Sequence, residues 1–148
     1  MGNYETLNEL LVTLFRDVMD IEQKVIITPE FKDITNNDMH VINAIGVGTT
    51  KNMSSIAKEL SVTVGTLTIS MNSLVKKGYV TRCRSMQDRR VVHISLSEKG
   101  VKAYYHHKHF HEQMIQGVVE VLTEEELQAL IKALTKLNSW FRSFDKDE

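Results

Sequence analysis

Residues 53–97 read MSSIAKELSVTVGTLTISMNSLVKKGYVTRCRSMQDRRVVHISLS, and this stretch decides the fold. Its first eight residues place Ile56, Ala57 and Leu60 on one helical face. Ser61, Val62 and Thr63 form a tight connector. The Thr63 hydroxyl is a candidate N-cap for an orphan amide, and the helix that follows turns Leu67, Met71, Leu74 and Val75 inward and runs to Gly78. The pattern is helix, three-residue turn, helix. The alternation then becomes that of a strand: Val80, Arg82 and Arg84 alternate with Thr81 and Cys83. After Ser85-Met86-Gln87-Asp88, the run Val91 to Leu96 puts Val92, Ile94 and Leu96 on one side, which predicts a hairpin with a basic tip.

Working outward, Tyr4, Leu7, Leu11, Leu14, Val18, Ile21 and Val25 alternate by threes and fours, the seam of a long first helix. Leu10, Val12, Phe15, Met19 and Ile26 widen that stripe until it needs cover on more than one side, which predicts a partner helix from another chain. Pro29, the only proline, ends the element. Thr35 with Asp38 then predicts the capped start of a second helix carrying Met39, Val41, Ile42 and Ile45, closed by Gly46 and Gly48. Beyond the hairpin, Ser97 caps a helix to about Val121. Thr123-Glu124-Glu125-Glu126 is a capping box for a last helix striped by Leu127, Leu130, Ile131, Leu134, Leu137, Phe141 and Phe144, followed by the acidic tail Asp145 to Glu148. The fold expected is mainly α with a small β-hairpin, one domain over 1–148.

The 148 residues fit one domain, and Leu, Ile, Val and Phe number 44, enough to build a core. No apolar run approaches a membrane span and the start MGNYETLNEL lacks a basic-then-apolar signal, so the expected location is cytoplasmic, with no membrane partner. One cysteine excludes an intrachain disulfide. The net charge of −1 hides an asymmetry: residues 51–102 hold ten Lys/Arg against three acids, while the flanks hold eight against sixteen. Lys76, Lys77, Arg82, Arg84, Arg89 and Arg90 fall within fifteen residues, the local clustering of a phosphate-binding surface.

A helix-turn-helix followed by a basic hairpin is the winged helix-turn-helix plan, in which the second helix enters the major groove and the wing reaches phosphates or the minor groove. The chain resembles the MarR family of bacterial transcription regulators in Ile56-Ala57-Lys58-Glu59-Leu60, Leu74-Val75-Lys76-Lys77-Gly78-Tyr79-Val80 with Arg82, Asp88-Arg89-Arg90, and Leu96-Ser97-Glu98-Lys99-Gly100. The strings Asp38-Met39-His40, Val64-Gly65-Thr66-Leu67-Thr68, Arg84-Ser85 and His109-Phe110-His111 are similar to the FabT-type branch, the fatty-acid-synthesis repressors of Gram-positive bacteria. The resemblance implies a homodimer with interlocked N- and C-terminal helices (1–34 and 98–148), a DNA-binding lobe at 35–97, and a pseudopalindromic site on double-stranded DNA. From the FabT branch it further implies repression strengthened by long-chain acyl groups on acyl carrier protein. Enzyme activity and a resident cofactor are not expected, because no nucleophile or paired carboxylates sit at readable spacing.

The outward side of the second helix presents Val64, Gly65, Thr66, Thr68, Ile69 and Asn72, beside Thr63 and Lys76. Small and apolar residues suit thymine methyls, and Asn72 pairs with adenine edges, so an A/T-rich site is expected. The alternative places Val64 and Ile69 in the core. In Asp88-Arg89-Arg90 the family resemblance implies that Asp88 braces the wing through a neighbouring arginine and that Arg90 enters the minor groove, with Arg82, Arg84 and Arg89 on the same surface.

An effector pocket is expected from Phe15, Val18, Met19, Phe110 and Met114, which are otherwise ordinary core. His107 and His111 lie one turn apart on a helix, and with Glu22 and His40 form an alternative metal set, since some MarR relatives repress zinc uptake with similar residues. The plain alternative is a solvated histidine face. Cys83 sits between two arginines, a setting that lowers a thiol pKa, but it reads better as a structural thiol.

Overall fold

Helix α1 (Asn3–Ile26) stops three residues short of Pro29, whose ring disfavours helical backbone in the residue before it. The computed structural model describes residues 2–144, and the acidic run Asp145 to Glu148 lies outside the described residues. Two compact units are present, one up to Phe110 and one from His111 onward.

The first unit contains α1, α2 (Asn36–Ile45), α3 (Met53–Leu60), α4 (Val64–Lys77), β1 (Val80–Arg84), β2 (Val92–Leu96) and the first half of α5 (Glu98–Val121). Each short helix starts at a side-chain cap. Thr35 Oγ1 accepts from the Asp38 amide at 3.1 Å while Asp38 Oδ2 accepts from the Thr35 amide at 3.0 Å, so both orphan donors are satisfied. Asn52 caps α3 and Thr63 caps α4, each through a side-chain oxygen that accepts from one amide of the first turn. Helix α4 ends on Gly78 at φ +87°, a left-handed position that a Cβ makes costly.

The strands pair antiparallel with Val80 opposite Leu96, Arg82 opposite Ile94 and Arg84 opposite Val92. Lys51 adds a one-residue bridge on the other edge of β2 that the sequence pattern did not reveal. Its amide donates to the Ile94 carbonyl at 2.9 Å and its carbonyl accepts from the Ile94 amide at 2.7 Å. The core beneath collects Ile42, Ile45, Ile56, Met71, Leu74, Tyr79 and Ile94, all fully buried, so both helices of the helix-turn-helix and the wing root share one apolar centre.

Tyr79 locks this arrangement. Its hydroxyl donates to Asp33 Oδ1 at 2.8 Å and the Lys99 ammonium lies 4.4 Å from its ring centroid. Burial and the neighbouring Asp33 carboxylate push the Tyr79 phenol far above its ordinary value. Burial works against the charged form of Asp33, but the Tyr79 hydrogen bond, a backbone hydrogen bond, Lys99 and Lys77 outweigh it and hold its pKa down. Helix α5 approaches at Gly100, where a Cβ would collide with the Tyr79 carbonyl oxygen. In α1, by contrast, only Glu22 and Ile26 are buried, and Tyr4, Leu7, Leu10, Leu14 and Phe15 stay exposed.

The second unit holds the rest of α5 and α6 (Glu124–Phe144). The expected capping box is present: Thr123 Oγ1 accepts from the Glu126 amide and Glu126 Oε1 from the Thr123 amide. No residue of α6 is buried, and Trp140 meets Phe141 and Phe144 edge to face on its surface. The architecture is mainly α with one β-hairpin, a winged helix-turn-helix. Among the described residues no helix is long and apolar enough to cross a membrane.

Candidate nucleic-acid interface

Helix α4 buries Leu67, Met71 and Leu74 and turns its other side out. Val64 is 46% exposed and Ile69 75% exposed, so the alternative that placed them in the core does not hold. Gly65 has no positive φ, and a Cβ there would meet only Thr63 Oγ1 at 3.9 Å. The fold therefore does not require this glycine. Thr63 Oγ1 accepts from the Thr66 amide and donates to Thr66 Oγ1 at 2.9 Å, fixing the first turn. Thr68 Oγ1 donates back to the Val64 carbonyl at 2.7 Å.

The wing flanks this face. Arg82, Arg84, Arg89 and Arg90 are exposed, as is Lys76 at the end of α4. Register explains the position of Arg82: it shares a sheet face with buried Ile94, the face turned to α4, and its Nη1 donates to Asn72 Oδ1 at 2.7 Å. Asn72 is thus engaged by the wing through its amide oxygen, one lone pair of which stays available. Asp88 contacts Arg90 itself, with Oδ1 accepting from the Arg90 amide at 3.0 Å and from its Nε at 3.3 Å. The brace therefore closes the turn that carries the arginine. Arg90 remains 92% exposed and lines a groove with Asn52, Met53 and Ser54 at the N-terminus of α3.

Lys77 leaves the basic cluster: its ammonium pairs with buried Asp38 at 2.9 Å, a bond that holds α4 to α2. Cys83 is exposed on the wing and is not a packed structural thiol, because its strand position points away from the core.

The description of the SarA/Rot transcriptional regulators matches residues 24–105. Streptococcus pneumoniae FabT, solved in complex with DNA, is 40% identical, with 96% of this chain and 99% of that one covered and a TM-score of 0.88. The chain belongs to the SarA/Rot and MarR-type winged-helix regulators. Staphylococcus aureus MepR in its DNA complex is 27% identical over 86% of this chain and 96% of that one, with a TM-score of 0.66. The Bacillus subtilis regulator YpoP is 27% identical over 107 residues, 72% of this chain and 76% of its own. This MarR-type regulator therefore binds DNA to act in transcription.

The remaining candidate residues of the regulator divide. Glu22 and His107 meet in the interior of the first unit, Oε1 to Nε2 at 2.6 Å, and His107 Nδ1 lies 3.1 Å from Asn43 Nδ2. An amide donor at Nδ1 leaves Nε2 to carry the proton toward Glu22. Asn43 was not foreseen, since nothing in the sequence links α2 to α5. His111 follows one turn later on α5, half-buried. His40 departs from the expected set: it is exposed and lines a groove with Glu59, Thr66 and Ser70 between α2, α3 and α4. Of the effector residues, Phe15 and Met19 are exposed on α1, Val18 is half-buried and Phe110 is buried, while Met114 is half-buried in the second unit.

Proposed function

We propose that this regulator is a cytoplasmic homodimeric repressor of fatty-acid-synthesis genes, whose hold on its operator is strengthened by a long acyl chain on acyl carrier protein. The observation that carries this reading is the 40% identity with DNA-bound FabT over 96% of the chain. Residues 35–97 serve as the DNA-binding lobe, with Thr63, Val64, Gly65, Thr66, Thr68, Ile69 and Asn72 toward the major groove. Lys76, Arg82, Arg84, Arg89 and Arg90 face phosphate or the minor groove, and Asp88 holds Arg90. The small and apolar residues of the α4 face favour an A/T-rich sequence, and a two-fold dimer demands a pseudopalindrome. The exposed apolar stripes within 1–34 and 98–148 supply the dimer contacts. Phe15, Val18, Met19, Phe110 and Met114 are the apolar side chains assigned to the acyl chain.

A second reading is a zinc-responsive regulator, favoured by the buried pairing of Glu22 with His107 and by His111 a turn beyond. Operator affinity measured with no effector, with acylated carrier protein, with zinc and with chelator separates the two. The fatty-acid reading expects a gain from acylated carrier alone, altered in Phe110→Ala, and no gain at saturating carrier rejects it. The zinc reading expects a gain from zinc that vanishes in the His107→Ala, His111→Ala double variant.

A further inference from the structure

Helix α4 carries a large apolar side chain where the fold has no use for one. Leu67, Met71 and Leu74 fix the direction of the core, and Gly65, Ile69, Asn72 and Lys76, spaced by four, three and four, run along the opposite side. Ile69 stands in the middle of that line and is 75% exposed. A helical side chain leans over the turn before its own, which here is the turn of Gly65, and a glycine brings no side chain to cover it. Along this line hydrogen-bonding side chains begin only at Asn72. Thr68, next to Ile69, gives its one hydroxyl hydrogen to the Val64 carbonyl at 2.7 Å and has none left to donate to a base. At Ile69 the outer face therefore offers apolar contact alone.

The surroundings narrow the choice of occupant. Lys76 on α4 and Arg82 and Arg84 on the wing are exposed, which favours a polyanion over a second protein surface of the same charge. In the major groove of duplex DNA the base-pair edges consist of hydrogen-bonding groups with one apolar exception, the C5-methyl of thymine. We infer that Ile69 is a specificity-determining residue that recognises thymine through this methyl group, telling T·A from A·T and C·G at its position without a hydrogen bond. The inference rests on α4 being the groove-reading helix. It goes beyond a general A/T preference, because it assigns one group of one base to one side chain. An A/T preference that came from groove shape would not depend on Ile69.

The test uses the full chain and an operator selected from a random duplex pool. Each thymine of the operator is replaced in turn by deoxyuridine, which removes the methyl and leaves the pairing and every hydrogen-bonding atom in place. Wild type should lose about three- to fivefold in affinity at one or two positions in each half-site, the value of one buried methyl. Ile69→Ala should bind the thymine operator less tightly and lose less than about 1.5-fold on the same replacement. At the sensitive position C·G should bind more weakly than T·A, and 5-methylcytosine opposite guanine should regain about three- to fivefold over cytosine in wild type but not in Ile69→Ala. Ile69→Val, which keeps two of the methyl groups, should retain part of the discrimination. Thermal unfolding of each variant checks that the fold is intact, and ratios taken within one variant cancel any general loss of affinity.

Indifference of wild type to every deoxyuridine replacement would overturn the inference, as would full methyl sensitivity surviving in Ile69→Ala. If Val64→Ala or Thr68→Ala removes the sensitivity while Ile69→Ala does not, the inference fails alone and α4 remains the reading helix. If no α4 substitution changes the preference at any base pair, or if the pool yields no operator, the assignment of α4 as the reading helix fails with it.

Discussion

At the scale of single residues, the wing tip and the Tyr79 lock make opposite kinds of prediction. Arg90 is held at its backbone and Nε by Asp88 yet stays almost wholly exposed. Arg90→Ala should weaken binding to every duplex and reduce the log-log salt slope by about one unit, read from affinities across a salt series. Asp88→Ala should keep the slope and lower affinity less, because the charge remains and only its positioning is lost. Tyr79 faces inward, so its prediction concerns stability. Its folded pKa is raised, so the stabilisation is complete below the unfolded value of about 10 and is lost as pH rises beyond it. Asp33, whose pKa is lowered, contributes above its unfolded value and is lost as pH falls through the folded one, at the acid end. Tyr79→Phe should therefore cost about 0.5–1.5 kcal/mol near neutral pH and flatten the alkaline decline in denaturant unfolding.

At the scale of elements, the decisive contact is the crossing of α5 over Tyr79. With a Cβ in collision with the carbonyl oxygen, Gly100→Ala cannot be accommodated without moving the start of α5, and it should destabilise by about 1–3 kcal/mol in urea unfolding. Gly65→Ala is the contrast, since its Cβ would make only an ordinary contact with Thr63 Oγ1; its stability should equal wild type or exceed it by up to about 1 kcal/mol while operator affinity falls. This difference between two glycines is invisible in sequence, because both sit in helices. Elements were legible where local chemistry sets them: Thr35, Thr63 and Thr123 cap the helices expected, and α3 spans Met53–Leu60 as its apolar face indicated. What escaped was long-range pairing. A one-residue rung at Lys51 has no period, and the bonds Lys77 to Asp38, Arg82 to Asn72 and Asn43 to His107 join residues whose separation carries no signal. The outward placing of the candidate side chains on α4 and the wing therefore followed from the sequence pattern, whereas the internal bonds that orient them did not.

At the scale of the whole molecule, the unspent apolar surface argues for a second copy of the chain. Leu7, Leu10, Leu14 and Phe15 on α1, and Ile131, Leu134, Trp140, Phe141 and Phe144 on α6, are each exposed by about half or more. Monomeric proteins seldom leave so many large apolar side chains open along single helices. A closed two-fold pairing covers the same patch on both copies and leaves no further surface to propagate, which suits a regulator that reads two half-sites. Sedimentation at micromolar concentration should give about twice the 17.0 kDa chain mass, and the thermal midpoint should rise with protein concentration, since association stabilises only the folded state. Leu14→Glu or Leu134→Glu places a carboxylate in the contact and should shift the equilibrium toward monomer. Operator affinity should then fall far more than any single wing substitution achieves, because losing the partner removes one complete half-site. A folded monomer at micromolar concentration that binds the operator as tightly as wild type would show that these stripes serve something other than the dimer.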